Sequence, residues 1–274
     1  MSNAPVEFFF DFNSPYGYIA AHKISAVAAK HGRTVDWKPF LLGAVFKVTG
    51  AQPLPHVPMK GDYAHHDFAR SARFHEVTYN PPESFPFSPV AASRAVYWAK
   101  ADGKAAEMTL ALYNAALGAG QDIAAPDAVV AIAAKAGFDA DAVAAGIQDP
   151  AIKEQLKTVT DEAISREIFG SPFMVVDGEA FWGADRLDMV ERWLETGGWE
   201  AGSIAGDDVL IDRAIDIPAR QHDPDGPAGH RVALLHQAGE CCRTRALGQI
   251  MGGCVVEPDR SLDLVFADSD HTRG

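Results

Sequence analysis

The run Val6-Glu7-Phe8-Phe9-Phe10-Asp11-Phe12 constrains the fold more than any other stretch of the chain. Aromatic and β-branched residues packed this densely suit a buried strand and little else. Asn13-Ser14-Pro15 follows at once, and from Tyr16 to Lys30 the apolar residues recur at helical spacing. Ser14 suits the N-cap of that helix and Pro15 its first residue, where the missing N–H costs no hydrogen bond. Gly32 closes the helix, and Thr34 to Leu42 reads as a second strand. The chain therefore opens β-α-β, with a polar side chain exposed at a helix N-terminus.

From Lys60 to about Lys157 the pattern turns helical. Ala91–Lys100, Lys104–Leu117, Asp127–Ala136, Asp139–Ile147 and Ala151–Arg166 are Ala-rich and periodic, separated by Gly, Pro and Asp. Pro53–Pro58 and Pro81–Pro89 are the main irregular stretches. Phe173–Val176 then reads as a short strand, Asp177-Gly178 as a two-residue hairpin turn, and Glu179–Trp182 as the return strand. A helix from Asp185 to Leu194 closes the order, which is β-α-β, a helical insert, then β-β-α.

Composition divides the 274 residues unevenly. Cys241, Cys242 and Cys254 are the three cysteines, no lysine follows Lys157, and of 26 aromatic residues only Phe266 lies beyond Trp199. Residues 201–274 carry 7 Arg against 12 acidic residues. With one aromatic this segment buries little apolar area against its ordering entropy, so it reads as a tail of uncertain, poor structure. It suits a disordered extension, a partner-binding arm, or out-of-frame GC-rich coding. The formal net charge of −13 argues against nucleic-acid and anionic-membrane partners. No stretch is long and apolar enough to span a membrane, and the first residues lack a signal-peptide pattern, so a cytoplasmic enzyme or binding protein is expected.

Four stretches, in order and spread over residues 6–198, carry a resemblance. They are Phe10-Asp11-Phe12-Asn13-Ser14-Pro15-Tyr16, Pro39-Phe40-Leu41-Leu42-Gly43, Phe169-Gly170-Ser171-Pro172-Phe173 and Phe181-Trp182-Gly183-Ala184-Asp185-Arg186. With them the chain resembles 2-hydroxychromene-2-carboxylate isomerases and kappa-class glutathione transferases, relatives of the DsbA-type disulfide oxidoreductases. The resemblance implies an α/β thioredoxin fold from residues 1–58 and 165–198, a helical insertion over 59–164, and nothing for 199–274. It also implies glutathione as cofactor, a small aromatic carboxylate as substrate, and a homodimer.

Ser14-Pro15-Tyr16-Gly17 stands where a redox relative would carry Cys-x-x-Cys. A hydroxyl forms no disulfide, so dithiol exchange is excluded there. A hydroxyl at a helix N-terminus does favour a bound thiolate by hydrogen bonding, aided by the helix dipole. By resemblance Ser14 would hold the glutathione sulfur, and Ser171, before a cis-Pro172, would pair its backbone with the cysteinyl part. Ala184 would open a helix-start binding site at which Asp185 meets the γ-glutamyl amine, and Lys60 would meet the glycyl carboxylate. Lys47 would face the substrate carboxylate, and Asp67 a neighbouring subunit's glutathione. Phe12, Tyr16, Phe46 and Trp182 would line the substrate pocket. Each has a plainer reading: an N-cap for Ser14, a trans proline for Pro172, a helix-start acid for Asp185, solvated lysines, and core aromatics.

One departure bears on the reaction. Gly50-Ala51 stands where the family reads Gly-Asn, which puts the particular isomerisation in question and makes a kappa-type transferase or peroxidase a rival. A non-catalytic thioredoxin-fold peptide-binding module is the third reading. His65-His66-Asp67 lacks a second ligand pair for a metal, and the adjacent Cys241-Cys242 with Cys254 do not complete a zinc or redox set.

Overall fold

The computed structural model describes residues 3–199, and from residue 200 onward the tail read above lies outside the described residues. The first strand, β1 (Val6–Phe10), is followed by α1 (Pro15–Lys30), β2 (Val35–Pro39) and α2 (Leu42–Thr49). Six helices come next: α3 (Lys60–Phe74), α4 (Val90–Lys100), α5 (Ala105–Tyr113), α6 (Pro126–Lys135), α7 (Ala140–Gln148) and α8 (Pro150–Ser165). The hairpin β3 (Phe173–Val176) and β4 (Glu179–Trp182), then α9 (Leu187–Thr196), complete the described chain.

The four strands form one sheet in the order β2-β1-β3-β4. β1 runs parallel to β2, with Phe8 opposite Trp37, and antiparallel to β3, with Phe8 opposite Met174. β3 and β4 pair through the Asp177-Gly178 turn, where both residues have positive φ. This is a thioredoxin fold with a helical insertion between its two halves. The aromatic run explains why β1 is central: Phe8 and Phe10 point to one face, Phe9 to the other, and all three are fully buried.

The larger core cluster joins Phe8, Phe10, Trp37 and Met174 to Ile19 and Ile24 of α1 and Leu112 of α5. On the opposite face Phe9, Phe40 and Phe173 pack with Tyr97 of α4 and Leu156 of α8. Burial of each phenyl ring contributes roughly 1.5–3 kcal/mol. Its edge-on partners, such as Trp37 at 5.2 Å from Phe8, add about 0.5–1.5 kcal/mol per pair. The insert thus covers both faces of the sheet.

The sequence reading differs from the structure in two elements. The second strand ends at Pro39 and not at Leu42, and Leu42–Thr49, where no helix was expected, is helical. Val45, Val48 and Thr49 are β-branched and Gly43 is flexible, so local propensity hid this helix. Its first N–H is capped from far away: Leu42 N donates to Asp11 Oδ2 at 2.9 Å. The helix expected to run to Leu117 widens after Tyr113 into a π turn over Asn114–Gly118. There a Cβ on Gly118 would lie 2.9 Å from Tyr18 Oη.

Candidate active site

Everything at the site is arranged around the turn from β1 into α1. Ser14 has extended φ and ψ and caps α1, its Oγ accepting from Gly17 N at 2.9 Å. The same hydroxyl donates to the Ser171 carbonyl at 2.7 Å, which joins the helix start to the loop before β3. Ser171 Oγ in turn accepts from Asp11 N at 2.9 Å, and the Ser171–Pro172 peptide is cis. Gly17 is needed for this approach, because a Cβ there would lie 2.8 Å from Tyr113 Oη and 3.0 Å from Ser171 Oγ.

Asp11 is the hub beneath. Its carboxylate accepts from Asn13 N at 2.8 Å and from Leu42 N at 2.9 Å, and its carbonyl accepts from Ser14 N and from Tyr113 Oη. Burial pushes the Asp11 carboxyl above the ordinary range, and the hydrogen bonds from Asn13 and Leu42 offset part of that shift.

A cleft of about 1320 Å³ opens over this turn. Its walls are α2, the Pro53–Val57 segment, α3 from Lys60 to Ser71, Phe85-Pro86, the Phe169–Ser171 loop and the turn after β4. Of the residues singled out in the sequence, Ser14, Tyr16, Phe46, Lys60, Asp67, Ser171, Trp182, Ala184 and Asp185 all line it. Pro172 is buried behind Ser171. Phe12 is not a cleft residue: it is fully buried, 4.6 Å from the Tyr113 ring and 5.6 Å from Phe10, because the strand's aromatic face continues inward past its end. Lys47 does not line the cleft either, since it sits exposed in the last turn of α2 while its neighbour Phe46 takes the inward position.

Charge in the cleft is sparse and mostly paired. Tyr16 donates a short hydrogen bond to Asp67, and Arg70 pairs with the same carboxylate and donates to Tyr63 at 2.9 Å. Burial and the Asp67 carboxylate raise the Tyr16 hydroxyl well beyond the ordinary phenol range, so it is a donor at any working pH. The bond from Tyr16, then the Arg70 charge, lowers the Asp67 carboxyl. Asp185 is exposed and pairs with Arg186 at 3.0 Å. At the mouth Trp182 meets Phe169 edge-on at 4.9 Å, lying so close over Gly170 that a Cβ would fall 2.1 Å from Trp182 Nε1.

Sequence reasoning did not assign Asp11, Asn13, Phe85, Pro86, Phe169 or Arg186, all of which line the cleft. Asp11 had a visible signal, an acid set between Phe10 and Phe12 in a run that has to be buried. Phe85 and Pro86 had none, because their segment is irregular and reaches the site only through tertiary contacts.

Residues 5–195 match the family model of the DSBA-like thioredoxin domain. A 2-hydroxychromene-2-carboxylate isomerase from Sphingobium xenophagum is 30% identical over 195 residues, a match covering 69% of this chain and 97% of the relative. Human glutathione S-transferase kappa 1 is 25% identical over 208 residues, covering 69% and 92%. Among solved structures, a 2-hydroxychromene-2-carboxylate isomerase superposes with a TM-score of 0.62 at 29% identity, covering 69% of this chain and 94% of that one.

Proposed function

The chain belongs to the DSBA-like thioredoxin domain family, related to 2-hydroxychromene-2-carboxylate isomerases, and from that membership we propose that it is a glutathione-dependent isomerase of an aromatic carboxylate. The observation that carries this reading is the Ser14 hydroxyl, held at a helix N-terminus between Gly17 N and the Ser171 carbonyl on the floor of the cleft.

The residues fit a thiol tripeptide. Ser14 Oγ has one proton, and it points at the Ser171 carbonyl. A peptide N–H pairing with that carbonyl, in the manner of an added strand, would free the hydroxyl to turn towards a sulfur anion beside it. Ser14 would then stabilise the thiolate together with the α1 dipole. Lys60 and Asp185, both lining the cleft, offer opposite charges for the ends of the tripeptide. Glutathione supplies the nucleophile that the described residues, which contain no cysteine, do not. Tyr16 keeps its proton throughout, and Phe46 and Trp182 give the aromatic group an apolar wall.

A second reading, a kappa-type transferase or peroxidase acting on the same sulfur, is favoured by two placements. Lys47 is outside the cleft, and Ala51 lines it without the carboxamide expected of the isomerases. The uncharged electrophiles of such an enzyme need neither group.

Titration calorimetry with glutathione on wild type and Ser14→Ala tests the shared premise. Millimolar or tighter binding by wild type is expected, and its absence would leave the non-catalytic module. The ultraviolet change on adding 2-hydroxychromene-2-carboxylate, with and without glutathione, then separates the two enzymes. A glutathione-dependent rate supports the isomerase, while conjugation of chlorodinitrobenzene alone supports the transferase. Lys47→Ala is expected to leave either rate within about twofold, as for an exposed side chain outside the cleft.

A further inference from the structure

The Pro81–Pro89 stretch has no helix or strand of its own, yet Phe85 and Pro86 form one wall of the cleft. What fixes that wall is a side chain. Asn13 Nδ2 donates to the Phe87 carbonyl at 2.8 Å, and Phe87 N donates to Asn13 Oδ1 at 2.9 Å. One carboxamide thus satisfies both backbone groups of Phe87, as a neighbouring strand would. Asn13 is itself held, its own N–H donating to Asp11 Oδ1 at 2.8 Å. Phe87 is buried in the main core, with its ring 6.2 Å from Phe85. The wall is therefore tied at one point to the core and at another to the residue covalently joined to Ser14.

We infer that Asn13 is a specificity-determining positioning residue, which sets the distance between the Phe85-Pro86 wall and Ser14 and so the bulk of the group accepted beside the sulfur. This rests on the reading of the cleft as a glutathione site. Asn13 lines the cleft, but both polar groups of its carboxamide are taken up by the Phe87 backbone. It acts through the loop, so its loss is expected to alter discrimination among groups attached to sulfur while leaving the glutathione part alone.

S-substituted glutathiones probe this directly, since the tripeptide is constant and only the group on sulfur changes. Calorimetry on the full chain would compare glutathione, S-methylglutathione and S-(naphthylmethyl)glutathione for wild type, Asn13→Ala and Asn13→Asp. Asn13→Ala is expected to keep the glutathione Kd within about twofold and to shift the naphthylmethyl-to-methyl Kd ratio by about fivefold or more, with faster hydrogen exchange at the Phe87 amide. Asn13→Asp keeps the acceptor for Phe87 N but sets an oxygen against the Phe87 carbonyl. It is expected to fall between wild type and Ala, and it carries the same test should Asn13→Ala fail to fold. An unchanged ratio overturns the inference, as does a uniform loss of all three affinities, the mark of a merely structural role. Failure of wild type to bind any of the three probes would instead bring down the glutathione reading, and this inference with it.

Discussion

Ser14 caps α1 with one hydrogen bond and donates another, and two substitutions separate the stability cost of the lost cap from the loss of the donor. Ser14→Ala removes the cap of α1, at a cost of about 1 kcal/mol in unfolding free energy, whereas Ser14→Gly costs only a few tenths. Both remove the donor proposed for the thiolate, so both are expected to lower glutathione-dependent kcat/KM by about 100-fold and to abolish the ultraviolet thiolate band of bound glutathione. Equal activity loss at unequal stability loss, read from steady-state kinetics and urea unfolding, is the expected pattern. Gly17→Ala sets helix propensity against space. Alanine suits a helix interior, but its methyl would press on Tyr113 Oη and Ser171 Oγ, groups packed against the turn. A net destabilisation of about 1–3 kcal/mol is expected, with the Ser14–Ser171 bond disturbed and glutathione affinity reduced. At this scale the sequence was legible wherever a motif is contiguous: Ser14, Ser171 and Asp185 could be placed from their neighbours. Asp11 and Asn13 could not be given their roles, since each acts on backbone 31 and 74 residues away.

Helices and strands here are coupled by charge as well as by packing. Glu7 on β1 meets Lys38 on β2 at 2.6 Å and Arg166, just past α8, at 2.6 Å. The bond from Arg166, with Lys38 assisting, pulls the Glu7 carboxyl from 4.5 down to about 2. A folded-state pKa below the unfolded one stabilises at pH above 4.5, and that stabilisation is lost as pH falls from 4.5 towards 2. Asp11 has the opposite sign: its raised pKa favours the folded state below its ordinary value of 3.8, and that advantage fades as pH rises through the folded pKa. Thermal melts of wild type and Glu7→Gln from neutral pH to pH 2 are expected to differ at neutral pH and to converge on the acid side. The same elements show what sequence could yield. Every strand was identifiable, because aromatic runs and an Asp-Gly turn are local signals. The helix α2 was not, because its eight residues carry poor propensity and their N-terminal cap comes from Asp11 in another element. Its recognition as a helix would have moved Lys47 away from the cleft, since in a helix Phe46 and Lys47 point about 100° apart.

Across the whole molecule, residues 3–199 contain the sheet, both core clusters and the cleft. Trp199 closes this body by packing on Trp193 of α9 at 4.7 Å. A chain ending after Trp199 is therefore expected to keep the melting temperature and glutathione Kd of the full chain. Scanning calorimetry and titration check this, and a drop of more than a few degrees would assign residues 200–274 a stabilising role. The joining of the two ends of this body has a consequence for how the protein is made. Ser171 holds Asp11 across 160 residues of chain, and β1 finds its central partner only in β3. A ribosome will have released the whole helical insert before the second half of the sheet exists, so the aromatic strand β1 waits half-covered through most of synthesis. Nascent chains stalled before residue 173 are expected to bind chaperones that favour exposed phenylalanine, and chains stalled beyond the closing helix to have escaped them.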